Sequence, residues 1–326
     1  MTLSLSLDEL EQASRRVYAH MQPTPQYAWP LLAQRTGCEV WVKHENHTPI
    51  GAFKVRGGLN YMQCLKEEQP CVSGVISATR GNHGQSIGYG ARVTGMAATI
   101  LVPFGNNPEK NDAMRALGVE LIEHGEDFQE AAEHAQTLAT TKGLHMVASF
   151  HPWLVAGVAS YGLELFRATA DLGADLDAVF VALGMGSGIC SLIQARNALG
   201  LKTKIYGVVS ENAPAYALSF REGKVVTTES ADTLADGVAC RSPNEMAVET
   251  ILDGAADIIT VSEDEILVAM SHYFTDTHNA AEGAGAVPLA ALLQRRSEFA
   301  GKRVGLILSG GNPDKALMMQ ALESGE

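Results

Sequence analysis

The chain has 326 residues, 46% hydrophobic and 19% charged, which is enough to bury a large core and more than one simple unit usually holds. A formal net charge of -13 with no basic run argues against nucleic acid and against an anionic membrane surface as partners. The five cysteines (Cys38, Cys64, Cys71, Cys190, Cys240) are odd in number and form no CxxC pair, which argues against a disulfide framework or structural zinc and for a reducing, cytoplasmic compartment.

Residues Met1 to Leu10 lack a basic stretch ahead of an apolar one, so no secretory signal is expected, and no apolar segment reaches membrane-span length. Residues 8–20 read as an amphipathic helix and 39–43 as a short alternating strand. A loop from His44 to Gly51 leads into a helix carrying Phe53, Lys54 and Leu59. From Val72 strands and helices alternate: strand 72–77, helix 82–95, strand 97–102, helix 109–117, strand 119–122, helix 128–141 and strand 145–148. A second series follows, with helix 154–170, the apolar strand 178–183, helix 189–199 and strand 204–210. After an irregular stretch from Asn212 to about Ala247 come strand 258–261, helix 281–293 and the closing strand 304–308. Ser262 and Glu265 have capping-box spacing for a helix between these last elements. With 14 residues after Asn312, no C-terminal regulatory domain is expected.

Such alternation predicts right-handed crossovers and parallel sheets, in two doubly wound units. Ligands of open α/β sheets bind beyond the carboxyl ends of the strands. Four loops of this chain lie at or near such ends. Gly184-Met185-Gly186-Ser187-Gly188 stands between an apolar strand and a helix, where glycines and free N–H groups suit a phosphate. A dinucleotide site, with Glu211 as the ribose acid, and a plain tight turn are the other readings of that loop. Gly81-Asn82-His83, flanked by Thr79 and Arg80, suits a carboxylate or is simply a helix cap. Lys54, in GAFKVRGG, stands among apolar and small residues, where desolvation lowers an amine's pKa. An isolated lysine is more often a solvated surface charge. Ser309, in SGGN at the end of the closing strand, offers a hydroxyl.

In motif content and order the chain resembles the fold-type II pyridoxal-phosphate enzymes, in particular the threonine dehydratase and serine racemase group, from about Pro23 to Asn312. The resemblance implies a tryptophan synthase β-like α/β fold with the cofactor in the cleft between two parallel-sheet domains. Residues 1–73 and 150–326 would form the large cofactor-binding domain, and 74–149 the small one. GAFKVRGG resembles the family's S-F-K-x-R-G motif, which makes Lys54 the catalytic Schiff-base lysine with Phe53 beside the cofactor. Asn82 would bond the phenolic oxygen of pyridoxal 5'-phosphate, and Gly184, Met185, Gly186, Ser187 and Gly188 would cradle its phosphate. Ser309 would face the pyridine nitrogen, with Gly237 and Glu282 near the cofactor's other face. Ser77, Thr79, Arg80, Gly81, Asn82 and His83 would form the substrate segment.

The implied reaction is dehydration of a small β-hydroxy-α-amino acid, of threonine or serine type, to a 2-oxo acid and ammonia. Alternatives are a dehydratase specific for 3-hydroxyaspartate or phenylserine, a serine racemase and a β-replacement synthase. A nicotinamide oxidoreductase and a non-catalytic binding protein are the readings from other classes. A homodimer is expected by analogy. Two departures matter. Ala52 replaces the motif's serine, and Arg80 stands where racemising members carry a serine acid/base. A guanidinium stays protonated and fills that role poorly, but it matches a substrate carboxylate bidentately. Related members bind a divalent cation after the strand matching 204–210. This chain has Ser210 and Tyr216 there, with Glu211 adjacent, so no essential metal is expected.

Overall fold

A capping box opens the chain. The Ser6 hydroxyl accepts from the Glu9 N–H while the Glu9 carboxylate takes the Ser6 N–H, which fixes where the first helix begins. Residues 2–173 and 175–324 are described by this computed structural model. The first elements are α1 (Leu7–Tyr18), β1 (Gln26–Ala28), α2 (Pro30–Thr36), β2 (Glu39–His44), α3 (Lys54–Glu68), β3 (Gly74–Ala78), α4 (Asn82–Thr94), β4 (Ala97–Val102), α5 (Pro108–Ala116), β5 (Glu120–Glu123), α6 (Phe128–Lys142) and β6 (His145–Met146). A second run completes the chain. It comprises α7 (Pro152–Asp171), β7 (Ala178–Ala182), α8 (Ser187–Ala198), β8 (Lys204–Ser210), α9 (Ala215–Glu222), α10 (Glu245–Gly254), β9 (Asp257–Val261), α11 (Glu263–Thr277), α12 (Gly283–Gln294), α13 (Arg296–Phe299), β10 (Arg303–Leu308) and α14 (Lys315–Glu323).

Two sheets result, in strand orders β1-β2-β10-β7-β8-β9 and β5-β4-β3-β6. All pairings are parallel except β1 with β2, which is antiparallel. The parallel strands read as near-continuous apolar runs because both faces are covered. Along β7, Ala178 and Phe180 face a core built on α11 and α12, while Val179 and Val181 face one built on α7 and α8. Each such buried Val or Phe contributes roughly 1.5–3 kcal/mol. The expected elements stand within a few residues of their positions. The irregular stretch after Asn212 contains one helix the sequence reading did not assign, α9, and runs into a second, α10; β1, α2, α13 and α14 were likewise not foreseen.

Because β2, β10, β7 and β8 run parallel, their carboxyl ends share one edge of the large sheet. The loops from Glu45, Ser309, Leu183 and Glu211 onward start there. α3 leads from that edge into the second sheet and packs closely against α4: a Cβ on Gly58 would press on the Ser86 carbonyl oxygen at 2.5 Å. The Ser86 hydroxyl also donates to the Lys54 carbonyl at 2.5 Å, so the two sheets' leading helices meet beside Lys54.

Candidate active site

Lys54 opens α3 where the loop after β2 is zipped to the loop after β10. The Phe53 N–H donates to the Ser309 carbonyl and the Gly311 N–H to the Gly51 carbonyl, both at 2.9 Å, and Ala52 bridges Gly310. The Thr48 hydroxyl adds two bonds of 2.8 Å to the Ala52 backbone. On this fixed backbone the Lys54 Nζ lies 4.8 Å from the centroid of the Phe53 ring. Burial pushes the Lys54 amine below its ordinary value, with the Glu282 carboxylate partly opposing the shift. A lowered pKa makes the nucleophilic, unprotonated form of the amine easier to reach.

Across from it stands the segment after β3. Asn82 donates from Nδ2 to both Glu282 oxygens, at 2.8 and 3.0 Å, and its Oδ1 accepts from Asn312 Nδ2 at 2.9 Å. Burial pushes the Glu282 carboxyl up, against the pull of the Asn82 amide. The His83 imidazole is buried with its Nε2 unpartnered, and burial and the nearby Lys54 charge bring its pKa to about 3. His83 is therefore neutral near pH 7. The Thr79 hydroxyl accepts the Gly81 N–H at 3.1 Å, which fixes the turn into α4.

The glycine loop between β7 and α8 is shaped by its lack of side chains. A Cβ on Gly184 would collide with the Gly237 carbonyl oxygen, and Gly186 has φ of 98°, a left-handed conformation that glycine adopts without strain. No side chain caps α8, so its first-turn N–H groups remain free donors for an anion. Ser309 is buried at the end of β10, and its hydroxyl donates to the Ala284 carbonyl at a long 3.3 Å.

Most of the expected site residues come together on this edge. Ser77 lies inside β3, 1% exposed, and its hydroxyl donates to the Val147 carbonyl at 2.8 Å. Arg80 is exposed, and among the described residues its guanidinium has no hydrogen-bonded partner. The Ser210 hydroxyl donates to Glu263 at 2.5 Å, and Glu263 also receives Thr233 at 2.7 Å and the Leu234 N–H at 2.8 Å. Among the described residues no group of three or more His, Cys, Asp or Glu gathers as a metal set.

The sequence reading missed Asn312 and the ion pair of Lys110 with Asp236, 2.5 Å long. Asn312 closes the SGGN motif and could have been noted for that. No sequence signal links Lys110 to a residue 126 positions away. A cavity of about 420 Å³ lined by Gly88, Arg92, Leu117 and Gly118 holds none of these groups.

These donors fit a phosphorylated aldehyde. The glycine cradle with free N–H groups suits a phosphate, Lys54 supplies a buried amine for the aldehyde, and the Asn82 amide and Ser309 hydroxyl offer neutral polar contacts between them.

Comparison with known proteins agrees with that fit. An L-threonine ammonia-lyase of Thermotoga maritima is 32% identical over 322 residues, covering 98% of this chain and 79% of that protein. An L-threo-3-hydroxyaspartate ammonia-lyase of Pseudomonas sp is 31% identical over 310 residues, covering 95% of this chain and 96% of the relative. The processed form of threonine deaminase isoform 2 from Solanum lycopersicum superposes with a TM-score of 0.89 at 29% identity, covering 99% of this chain and 95% of that one. The family described as "Pyridoxal-phosphate dependent enzyme" matches residues 17–310, a span that encloses Lys54, the glycine loop and Ser309, and the chain belongs to that family.

Proposed function

We propose that this enzyme is an ammonia-lyase that dehydrates a small β-hydroxy-α-amino acid, of threonine or serine type, to a 2-oxo acid and ammonia. The observation that carries the reading is the placement of Lys54, a buried amine whose pKa burial lowers, where the loops after β2 and β10 and the start of α4 converge. Near-full-length likeness to ammonia-lyases supports it. Bound here, pyridoxal phosphate supplies an aldehyde that captures amino acids and an electron sink that acidifies their α-C–H bond.

The residues divide the work as follows. Lys54 Nζ would hold the cofactor and would serve as the base that takes the substrate's α-proton. Gly184 to Gly188 would hold the phosphate with backbone N–H groups, with Phe53 and Gly237 beside the ring. Asn82, whose amide is on Glu282 here, would offer that amide to the ring's phenolic oxygen. The backbone N–H groups from Thr79 to His83 hold the substrate carboxylate. Ser309 would offer the ring nitrogen a hydroxyl, too weak an acid to protonate it, an arrangement that would suit elimination of a β-hydroxyl. Residues 74–149 form the smaller domain that closes on the rest, with Lys110 to Asp236 and Asn82 to Glu282 as its contacts across the cleft. No described helix is long and apolar enough to cross a membrane. The reading extends to a cytoplasmic homodimer, supported by five free thiols and by analogy with the family.

The test is an absorbance scan with 2-oxo acid release followed for L-threonine, L-serine, L-threo-3-hydroxyaspartate and phenylserine. A visible cofactor band with oxo acid from at least one of them is expected; a band without oxo acid from any would defeat the dehydratase reading.

Arg80 favours one second reading, a preference for 3-hydroxyaspartate. A free guanidinium beside the carboxylate-holding segment matches a second carboxylate bidentately. Arg80→Ala is expected to lower kcat/KM for 3-hydroxyaspartate roughly 10- to 100-fold, the worth of a hydrogen bond to a charged group, with threonine turnover changed by less than about threefold. Equal losses on both substrates would show that Arg80 only anchors the loop.

A further inference from the structure

The glycine loop is held from behind by two buried tyrosines that no motif of the chain accounts for. Tyr216, on α9 and 1% exposed, donates its hydroxyl to the Met185 carbonyl at 3.0 Å and accepts the Asn244 N–H at 3.2 Å. Tyr161, on α7, donates to the Gly188 carbonyl at 3.0 Å, and its ring meets Phe53 edge-on with centroids 6.1 Å apart. A Cβ on Gly186 would stand 3.2 Å from the Tyr216 oxygen and 2.7 Å from the Ala247 Cβ, so the loop is pressed against this brace. Burial pushes both phenols well above their ordinary range, so each remains a donor.

A planar trans peptide points its C=O and the following N–H in opposite directions. Pinning the Met185 carbonyl toward Tyr216 therefore turns the Gly186 N–H to the opposite side of the loop. Pinning the Gly188 carbonyl does the same for the Ile189 N–H, one of the free donors in the first turn of α8.

We propose that Tyr216, assisted by Tyr161, is a positioning residue for the cofactor phosphate, presetting the peptide planes whose N–H groups bind it. The proposal rests on the reading that Gly184 to Gly188 take the phosphate. It adds that this chain fixes the loop with phenol hydroxyls from two helices outside the loop. Tyr273 is the natural control, since it is equally buried and its hydroxyl has no hydrogen-bond partner among the described residues.

The experiment is equilibrium titration of the apoenzyme with pyridoxal phosphate and with pyridoxal, which lacks the phosphate, for wild type, Tyr216→Phe, Tyr161→Phe and Tyr273→Phe, with apoenzyme Tm measured alongside. The wild type is expected to prefer pyridoxal phosphate at least about 100-fold, as charge-assisted bonds to a phosphate require. Tyr216→Phe is expected to weaken pyridoxal phosphate about tenfold, the scale of one lost buried hydrogen bond, and pyridoxal less than about twofold. Tyr161→Phe should shift the same ratio in the same direction, and Tyr273→Phe should not. A Tyr216→Phe protein with lowered Tm and an unchanged ratio would overturn the proposal and leave a structural role. Should Tyr216→Phe not fold, an unchanged ratio in Tyr161→Phe overturns it. A wild type that does not distinguish the two aldehydes removes the phosphate reading of the loop itself, a failure separate from that of the tyrosines.

Discussion

Lys54→Ala is expected to abolish the visible cofactor band and to reduce 2-oxo acid release by at least about 10⁴-fold, since it removes both the covalent tether and the base for the α-proton. The fold should survive. Lys54 forms no ion pair among the described residues, and its structural contact is through its backbone carbonyl, which keeps the Ser86 hydroxyl whatever side chain stands there. Removing a buried amine also relieves its desolvation, so the apoenzyme Tm should hold or rise. Lys54→Arg should be as inactive, because a guanidinium stays protonated. The same residue sets a pH dependence. Only the unprotonated amine attacks an aldehyde, so cofactor capture by the apoenzyme should quicken as pH rises. Burial lowers the Lys54 pKa, which places the midpoint below the ordinary 10.5. Glu282 opposes that shift, so Glu282→Gln should move the midpoint lower still. Oxo acid formation at an appreciable rate by Lys54→Ala would end the assignment.

How far the sequence carried these statements depends on the range of the forces involved. The glycine loop, the strand before it and the helix after it are local: apolar runs, turn glycines and capping residues lie within a few positions of each other, as with Ser262 and Glu265 at α11. Chain order and motif then placed Lys54 and Ser309 at the edge of the large sheet and Asn82 after β3 of the other sheet, without any contact being foreseen. The direction of a side chain was harder to read. Ser77 has the right residue type at the right strand end, yet the pleat turns its hydroxyl to Val147 on the neighbouring segment. The helices after Asn212 were missed because α9 is only eight residues and the stretch between α9 and α10 is rich in charged and small residues. Three-residue β1 is too short to show an alternation, and it owes its place to Trp41, Val42 and Lys43 on its partner strand. Partners far apart in sequence, such as Tyr216 with Met185 or Lys110 with Asp236, leave no trace in spacing at all.

The most demanding of these long-range contacts surrounds Arg56, and Arg56→Met is expected to destabilise the enzyme by about 3–5 kcal/mol, the usual consequence of removing one partner from a buried ion pair. The Arg56 side chain is fully buried. Its Nε and Nη2 bond Glu45 at 2.7 and 3.0 Å, its Nη1 and Nη2 bond Glu164 at 2.6 and 3.1 Å, and Ser160 and Thr24 take its remaining reach. Lys43 and the Tyr18 hydroxyl complete the set on Glu164, at 2.5 and 2.6 Å. Two cations and two carboxylates thus balance inside α1, α3, α7 and the loop after β2. Without Arg56 a carboxylate charge is left buried and unpaired, and Tm should fall by roughly 5–10 °C at a fixed scan rate near pH 7.5. The sign of its pH dependence follows from linkage. In the wild type Arg56 and Lys43 hold the Glu164 carboxyl below its ordinary range, so this group's stabilisation is present above the unfolded pKa and is lost on acidification. In the variant Glu164 keeps Lys43 as its one remaining cation, so less of that stabilisation is present at high pH, while Glu45 is left as the buried charge without a cation. The gap between the two proteins should therefore narrow from pH 8 toward pH 5. Adding Glu45→Gln to Arg56→Met, which removes the orphaned charge, should recover part of the loss at pH 8 and little at pH 5. A single variant whose deficit is the same at both pH values would mean that lost packing, rather than an unpaired charge, is what Arg56 prevents.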